Sequence, residues 1–281
     1  MAVKTTVKEQ KSDNNLAISP QVEALLAQEK PRITTLRILY LAGVIALLLY
    51  SARISDIRPL ELIEGGSTMA EYASRYFPPD FSDWRFYLSD ILETIGMGIW
   101  GTLLAAIVAA PLAVFASENL CPVWIVQPTR RFLDVMRAIN EVVFALIFVV
   151  AVGLGPFAGV LALFVHTTGT LGKLFSEAIE NIEVGPIEGV RASGASKFQE
   201  ILFGVVPQVM PLWISYTLYR FEANVRSAAV LGIVGAGGIG VSLYQSFRSF
   251  KYPKVCAILI ILIVAVSLLD LLSAQLRRRV T

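Results

Sequence analysis

The sequence predicts an all-α integral membrane fold with six membrane-crossing helices, and two observations carry that expectation. The 281 residues are 55% hydrophobic and only 16% charged, with a mean hydropathy of +0.64, beyond the apolar share of a water-soluble domain. Several apolar runs also reach the roughly 20 residues that a helix needs to cross a bilayer.

Taken in order, residues 1–35 carry Lys4, Lys8, Lys11, Lys30 and Arg32 among polar residues. They lack an apolar centre and a small-residue cleavage site, so they read as a cytoplasmic tail rather than a cleaved leader. A membrane domain, 36–281, follows. "LRILYLAGVIALLLYSA", from Leu36, predicts a first span over 36–52 that also serves as the insertion signal. The polar, net acidic stretch 53–88 leads through the turn-rich "FPPDFSDW" to a second span, 89–116, whose Gly and Ala suit close helix packing in lipid. "PTRRFLDVMR" precedes a third span, 134–153, and "GLGP" turns into a fourth, 157–176. A polar loop, 177–206, separates it from the fifth span, 207–226. A Gly-rich segment, 228–247, reads as a re-entrant helix, and the sixth span covers 254–276.

Six spans put both termini on one side. The tail, the loop before the third span, the loop 177–206 and the C-terminal "RRRVT" carry most of the Lys and Arg, so that side is cytoplasmic. Arg248, Lys251 and Lys254 lie on the other side against this trend. Cys121 then falls inside and Cys256 near the outer face, which excludes their pairing; neither sits in a metal-binding pattern, and no metal site is indicated.

"EGVRASGASKFQEILFGVVP", Glu188 to Pro207, is helix-compatible but nearly free of large apolar residues over its first half. Ala192, Ala195, Ser196 and Gln199 fall on one helical face, and Glu188 and Arg191 are spaced for an i, i+3 pair. Gly189 and Gly194 remove bulk, and Gly194 is a point at which one helix becomes two. The segment reads as a docking element for another protein, or as a plain loop hairpin. "GAGGIG", with Gly235, Gly237, Gly238 and Gly240, satisfies G-x-G-x-x-G, but no acidic residue follows about 20 positions on and no soluble βαβ unit surrounds it. No G-x-x-x-x-G-K-[ST] occurs, so the chain is not an ATP-hydrolysing enzyme and binds no cofactor of its own.

The 188–207 stretch resembles the coupling-loop motif of ABC-type importer permeases. Glu188, Gly189, Arg191, Ala192, Ser193, Gly194, Ala195 and Pro207 are the residues onto which the resemblance carries a coupling role; Gly189 and Val190 stand where the motif has alanines. "FPPDFS", "GLGPFAGVLAL", "HTTGTLGKLFSEAIE", "VPQVMP", "SYTLYRFEANVRSA" and "VLGIVGAGGIG" are similar to permease subunits of phosphonate uptake systems, phosphite importers included. The resemblance implies a type-I, methionine-importer-like permease fold in the bacterial inner membrane. It also implies a second copy of the chain, two cytosolic ABC ATPase subunits holding ATP and Mg, and a periplasmic binding protein. The cargo it implies is phosphonate, phosphite or a related phosphorus oxyanion. The same machine for another solute such as methionine, and a partner-free secondary carrier, are the alternatives; the latter needs inverted repeats with two broken helices, and one Gly-rich break is visible.

Ionisable groups inside spans face a cavity or a partner. Counting along straight helices places Glu141, His166 and Arg220 near the membrane middle. Tyr216, Arg220, Asn224 and Ser227 form a stripe on the fifth span. Arg220, with Tyr216 and Asn224, is the candidate lining for an anion's path, with Glu141 as its resting partner. Alternatively, Glu141 and Arg220 only fix helix packing, and His166 with Thr167 only bonds between helices. Glu222 and Arg226 are spaced as an i, i+4 pair. Gly235, Gly237, Gly238 and Gly240 are the gate candidates.

Overall fold

The computed structural model describes residues 33–280, all of its regular elements helical. It divides into two compact units, one reaching to Thr68 and one from Met69. The expected tail lies, up to residue 32, outside the described residues.

The first unit holds α1 (Ile33–Ile54) and α2 (Pro59–Glu64). No residue of α1 between Arg37 and Ile54 is buried. A helix apolar on all sides has no preferred face for a core, as expected of a span that meets lipid all round. Helix α3 (Gly66–Ser74) begins just before the boundary.

The second unit contains α4 (Trp84–Ala116), α5 (Val123–Ala138), α6 (Glu141–Val152), α7 (Pro156–Glu180) and α8 (Val184–Ala192). A short α9 (Lys197–Gln199) runs through a π-helical turn, Glu200–Val205, into α10 (Val206–Leu231) and a 3-10 turn, Gly232–Val234. Helices α11 (Ile239–Arg248) and α12 (Tyr252–Val280) complete the chain. Five helical stretches in the described residues are long and apolar enough to cross a membrane, and a sixth exists only if α5 and α6 count together across their 85° bend.

That bend corrects the expected third span, 134–153. Ile139 and Asn140 are extended, and the Asn140 side chain accepts the Val142 N–H at 2.9 Å, starting a new helix. Helix α6 has 12 residues, about 18 Å of rise and too short to span alone. A depth for Glu141 counted from Arg131 along one straight helix therefore fails.

Small residues let α4 and α7 meet closely. Ala105, Ala109 and Ala113 are fully buried, and a Cβ at Gly169 would stand 2.7 Å from the Leu133 carbonyl oxygen of α5. In lipid, where helices gain nothing from leaving water, such backbone contact supplies the packing. Phe175 stacks on Trp213 with centroids 4.6 Å apart, joining α7 to α10. Arg130 of α5 donates to the Ala116 carbonyl at 2.9 Å, to Glu118 at 2.7 Å and to Glu180, tying the adjoining ends of α4, α5 and α7.

The expected Glu222–Arg226 pair does not form. Arg226 reaches Asp270 at 3.0 Å, and buried Glu222 accepts from Arg277. Both partners lie on α12, which runs antiparallel beside α10, so these two charges find an interhelical partner instead of a local one. Arg277, expected in a polar C-terminus, is inside a helix.

Candidate functional site

The loop expected over 177–206 is a helical hairpin whose second arm is continuous with α10. Gly194, at φ +81°, ends the first arm in a left-handed turn that favours glycine. Ser196 and Gln199 then start the second arm with a capping box. Ala192 thus lies on a different helix from Gln199, and the single small-residue face does not exist.

Arg191 does not pair with Glu188. It forks onto Glu200, Nε to Oε1 at 3.0 Å and Nη2 to Oε2 at 3.0 Å, with Lys197 adding a third cation at 3.3 Å. The Glu200 carboxylate holds the Arg191 guanidinium above its ordinary value. This pair clamps one arm to the other, and a Cβ at Gly204 would stand 3.2 Å from Ile187 Cα. Gln208 closes the base, accepting the Glu183 N–H at 3.1 Å and donating to its carbonyl at 3.3 Å. Pro207 follows the π-helical turn; a widened turn leaves room for a ring that, in α geometry, meets the carbonyl four residues back.

The outer surface of the hairpin is bare. Glu188, Gly189, Ala192, Ser193 and Gly194 are exposed and Ala195 is half-buried. A Cβ at Gly189 or Gly194 meets nothing within 4 Å, so packing inside this chain does not ask for their missing side chains. Phe198 and Phe203 are 72% and 62% exposed beside them.

A second constellation lies where α4, α7 and α10 meet. Asn224, 1% exposed, donates from Nδ2 to Thr102 Oγ1 at 2.8 Å, and its Oδ1 accepts from Thr167 Oγ1 at 3.0 Å. The same Oδ1 lies 3.4 Å from Arg220 Nη2, while Arg220 Nε is buried with no hydrogen-bond partner among the described residues. Tyr216 packs on the apolar cluster around Ala109 and Phe175. The stripe read from the sequence is therefore divided among different neighbours.

Glu141 and Arg220 form no ion pair. Glu141 Oε1 accepts from Ser227 Oγ at 2.7 Å, and its Oε2 is 3.6 Å from His166 Nε2. His166 Nδ1 is 3.0 Å from the Ile139 carbonyl at the α5–α6 break. Thr102 and the Ile139 carbonyl were missed by sequence reasoning; a lone threonine in an apolar run gives no spacing signal, and a backbone carbonyl is exposed only by the break.

The Gly-rich segment forms the third feature. Residues 228–231 belong to α10, and the break proper falls at Gly235, Gly237 and Gly238, with φ of +85°, +84° and +74°. A Cβ at Gly240 would stand 2.0 Å from the Ala229 carbonyl oxygen. The first N–H groups of α11 are met by α4: Gly238 donates to Glu93 Oε1 at 2.7 Å and Ile239 to Thr94 Oγ1 at 2.8 Å. A carboxylate at a helix N-terminus complements its dipole, so the backbone amides that a nucleotide phosphate would need are already engaged. A cavity of about 340 Å³ lies beside this break, bounded by Phe86, Asp90, Glu93, Pro156, Ser242 and Gln245. Cys121 and Cys256 are both free thiols.

These features were compared with known proteins. Residues 101–281 match the family described as binding-protein-dependent transport system inner membrane component. The chain is 38% identical over 235 residues to the putative phosphite transport system permease protein HtxC of Stutzerimonas stutzeri, covering 83% of each. It is 40% identical over 229 residues to the phosphate-import permease protein PhnE of Mycolicibacterium smegmatis, covering 81% of this chain and 43% of that one. Over 118 residues it is 64% identical to the putative cryptic phosphonate transport system permease protein PhnE2 of Escherichia coli, 42% of this chain and 97% of that one. Among solved structures, the inward-facing MetNI methionine ABC transporter aligns with a TM-score of 0.62 at 19% identity, covering 72% of this chain and 99% of that one, a likeness of fold alone. With a helical multi-pass body, a bare hairpin and no nucleotide-hydrolysing motif, the chain belongs to the binding-protein-dependent inner membrane components: it is the permease subunit of an ABC importer.

Proposed function

We propose that this permease carries phosphite, a phosphonate or a related phosphorus oxyanion across the bacterial inner membrane. In this reading two copies of the chain form the pore, with both termini in the cytoplasm. Each hairpin seats on a cytosolic ATPase that binds ATP and Mg, and a periplasmic binding protein delivers the cargo. The observation that carries the cargo class is Arg220, whose buried Nε has no hydrogen-bond partner among the described residues. A guanidinium with an unused donor in a low-dielectric interior suits an oxyanion, because its planar N–H groups match oxygen pairs. The relatives named for phosphite, phosphate and phosphonate transport support the same class. Asn224 orients the guanidinium, and Glu93 of α4, which accepts from Gly238, together with Gly235, Gly237, Gly238 and Gly240 forms the outer gate.

The hairpin's bareness supports its docking role, since Gly189 leaves space that this chain does not fill. Small residues there let the partner's surface approach the backbone, and Phe198 offers an apolar knob beside it.

The test reconstitutes the chain with the ATPase and binding protein encoded beside it and measures accumulation of phosphite, methylphosphonate and phosphate in proteoliposomes. Arg220→Gln is expected to depress uptake while ATP hydrolysis continues. Unchanged uptake removes Arg220 from the path, and accumulation of none of the three anions by the unaltered chain overturns the cargo class.

A further inference from the structure

Glu141 stands at the corner of the 85° bend between α5 and α6, and the chain's single histidine reaches both sides of that corner. The Ile139 carbonyl, left without a helical donor by the break, lies 3.0 Å from His166 Nδ1. A carbonyl only accepts, so Nδ1 carries the hydrogen. Across the ring, Nε2 faces Glu141 Oε2 at 3.6 Å, beyond hydrogen-bond reach but within range of a charge contact. That contact attracts when Nε2 also bears a hydrogen, making the ring an imidazolium bound to both halves of the broken helix. The other carboxylate oxygen accepts from Ser227 at 2.7 Å.

Both oxygens of Glu141 are thereby engaged, and neither reaches Arg220, although Ser227, which holds one of them, lies two turns from Arg220 on the same face of α10. Attraction between opposite charges rises as the dielectric falls. A carboxylate on this face, once released, is drawn toward the guanidinium and cancels it. Other cations of α5 and α7 are committed elsewhere: Arg137 to Asp134 at 2.8 Å, and Lys173 to Glu177 at 3.2 Å. Arg220 is the cation of this group without a carboxylate partner among the described residues.

We infer that His166 is a positioning residue which, with Ser227, tethers Glu141 at the helix break and so keeps Arg220 available to a passing oxyanion. This rests on the reading of Arg220 as lining for a phosphorus oxyanion. His166 does not touch cargo; it decides whether the charge that does is neutralised.

The experiment separates the tether from a plain interhelical bond. His166→Asn retains an amide donor for the Ile139 carbonyl but removes Nε2, so Glu141 is left with Ser227 as its one tether while the break stays bridged. In proteoliposomes with the cognate ATPase and binding protein, uptake of phosphite or methylphosphonate, whichever the unaltered chain carries, falls about tenfold. The double variant His166→Asn with Glu141→Gln, in which the released side chain has no charge, recovers to within about threefold of the unaltered chain, a coupling expected only of interacting sites. A double variant as impaired as His166→Asn alone overturns the inference and leaves His166 a packing residue, with the cargo reading intact. If the unaltered chain accumulates neither phosphite, methylphosphonate nor phosphate, the cargo reading fails, and a cargo-free measurement decides the tether. With one imidazole in the chain, its ¹⁵N spectrum in nanodiscs contains a single Nε2 resonance. Glu141→Gln must move that resonance and leave the Nδ1–H signal in place; an unmoved Nε2 overturns the pairing. A backbone amide spectrum of each variant shows whether it is folded.

Discussion

Replacing Gly240 by alanine puts a methyl group where two backbones already touch. The new Cβ would stand 2.0 Å from the Ala229 carbonyl oxygen, 3.0 Å from Gly232 Cα and 3.1 Å from the Ala229 carbonyl carbon. The blocking atoms belong to α10's backbone, which cannot swing aside as a side chain can. Helix α11 must therefore withdraw from α10, loosening the cluster in which Ile239, Ala257 and Ile258 are fully buried. Overpacking of a filled interior costs about 1–3 kcal/mol, and backbone obstruction places this case near the top of that range. The better helix propensity of alanine returns at most about 1 kcal/mol, leaving a net loss of about 2 kcal/mol. At about 2–4 °C per kcal/mol for a domain of this size, the melting temperature falls by about 4–8 °C. Thermal unfolding followed by fluorescence in nanodiscs measures it. Gly96→Ala, where a Cβ meets nothing within 4 Å, is the control and should melt at or above the unaltered chain. If both variants melt together, the close approach of α10 and α11 is not what holds the gate segment in place.

Two further outcomes follow from the same reasoning. Asn224→Leu removes the bonds to Thr102 and Thr167; at about 0.6 kcal/mol for each interhelical bond in a membrane, the loss is about 1 kcal/mol before any strain from the larger shape. The same thermal scan should show a fall smaller than that of Gly240→Ala, and a larger one refutes the ranking. Glu200→Ala takes the clamp from Arg191 and Lys197, so the amides of α8 should exchange with deuterium faster while those of α7 do not. Unchanged exchange in α8 means that apolar packing at Ile187 and Gly204, rather than charge, closes the hairpin.

The long helices were legible because composition alone marks a run that water rejects, and α4, α7, α10 and α12 each contain one. Gly194 was legible as a turn because a missing Cβ is a local property. The bend between α5 and α6 was not, since hydropathy averages across Ala138, Ile139 and Asn140 without a Gly or Pro to interrupt it. A start signal was present in Asn140 followed directly by Glu141, an N-cap with an acid in the first turn, but the apolar run on either side hid it. Ion pairing misled for a related reason. Spacing rules describe neighbours on one helix, so they proposed Glu188 for Arg191 and Glu222 for Arg226, whereas tertiary packing supplied Glu200 and Asp270. Arg220 and Asn224 stood out as polar residues in an apolar helix; the Thr102 and Thr167 hydroxyls that hold Asn224 depend on which helices meet.

The hairpin's second arm and the helix bearing Arg220 and Asn224 form one stretch, Lys197–Val234, 38 residues long and about 57 Å from end to end. Such a beam has no slack, so a nudge at Phe198 arrives at Asn224 as rotation or tilt. Between Phe198 and Asn224 it departs from α geometry at the overwide turn Glu200–Val205, seated against Ile187 through Gly204. If the hairpin docks as proposed, that turn is the fulcrum: stiffened, it would deliver the whole stroke to the interior, and softened, it would absorb the stroke before the guanidinium.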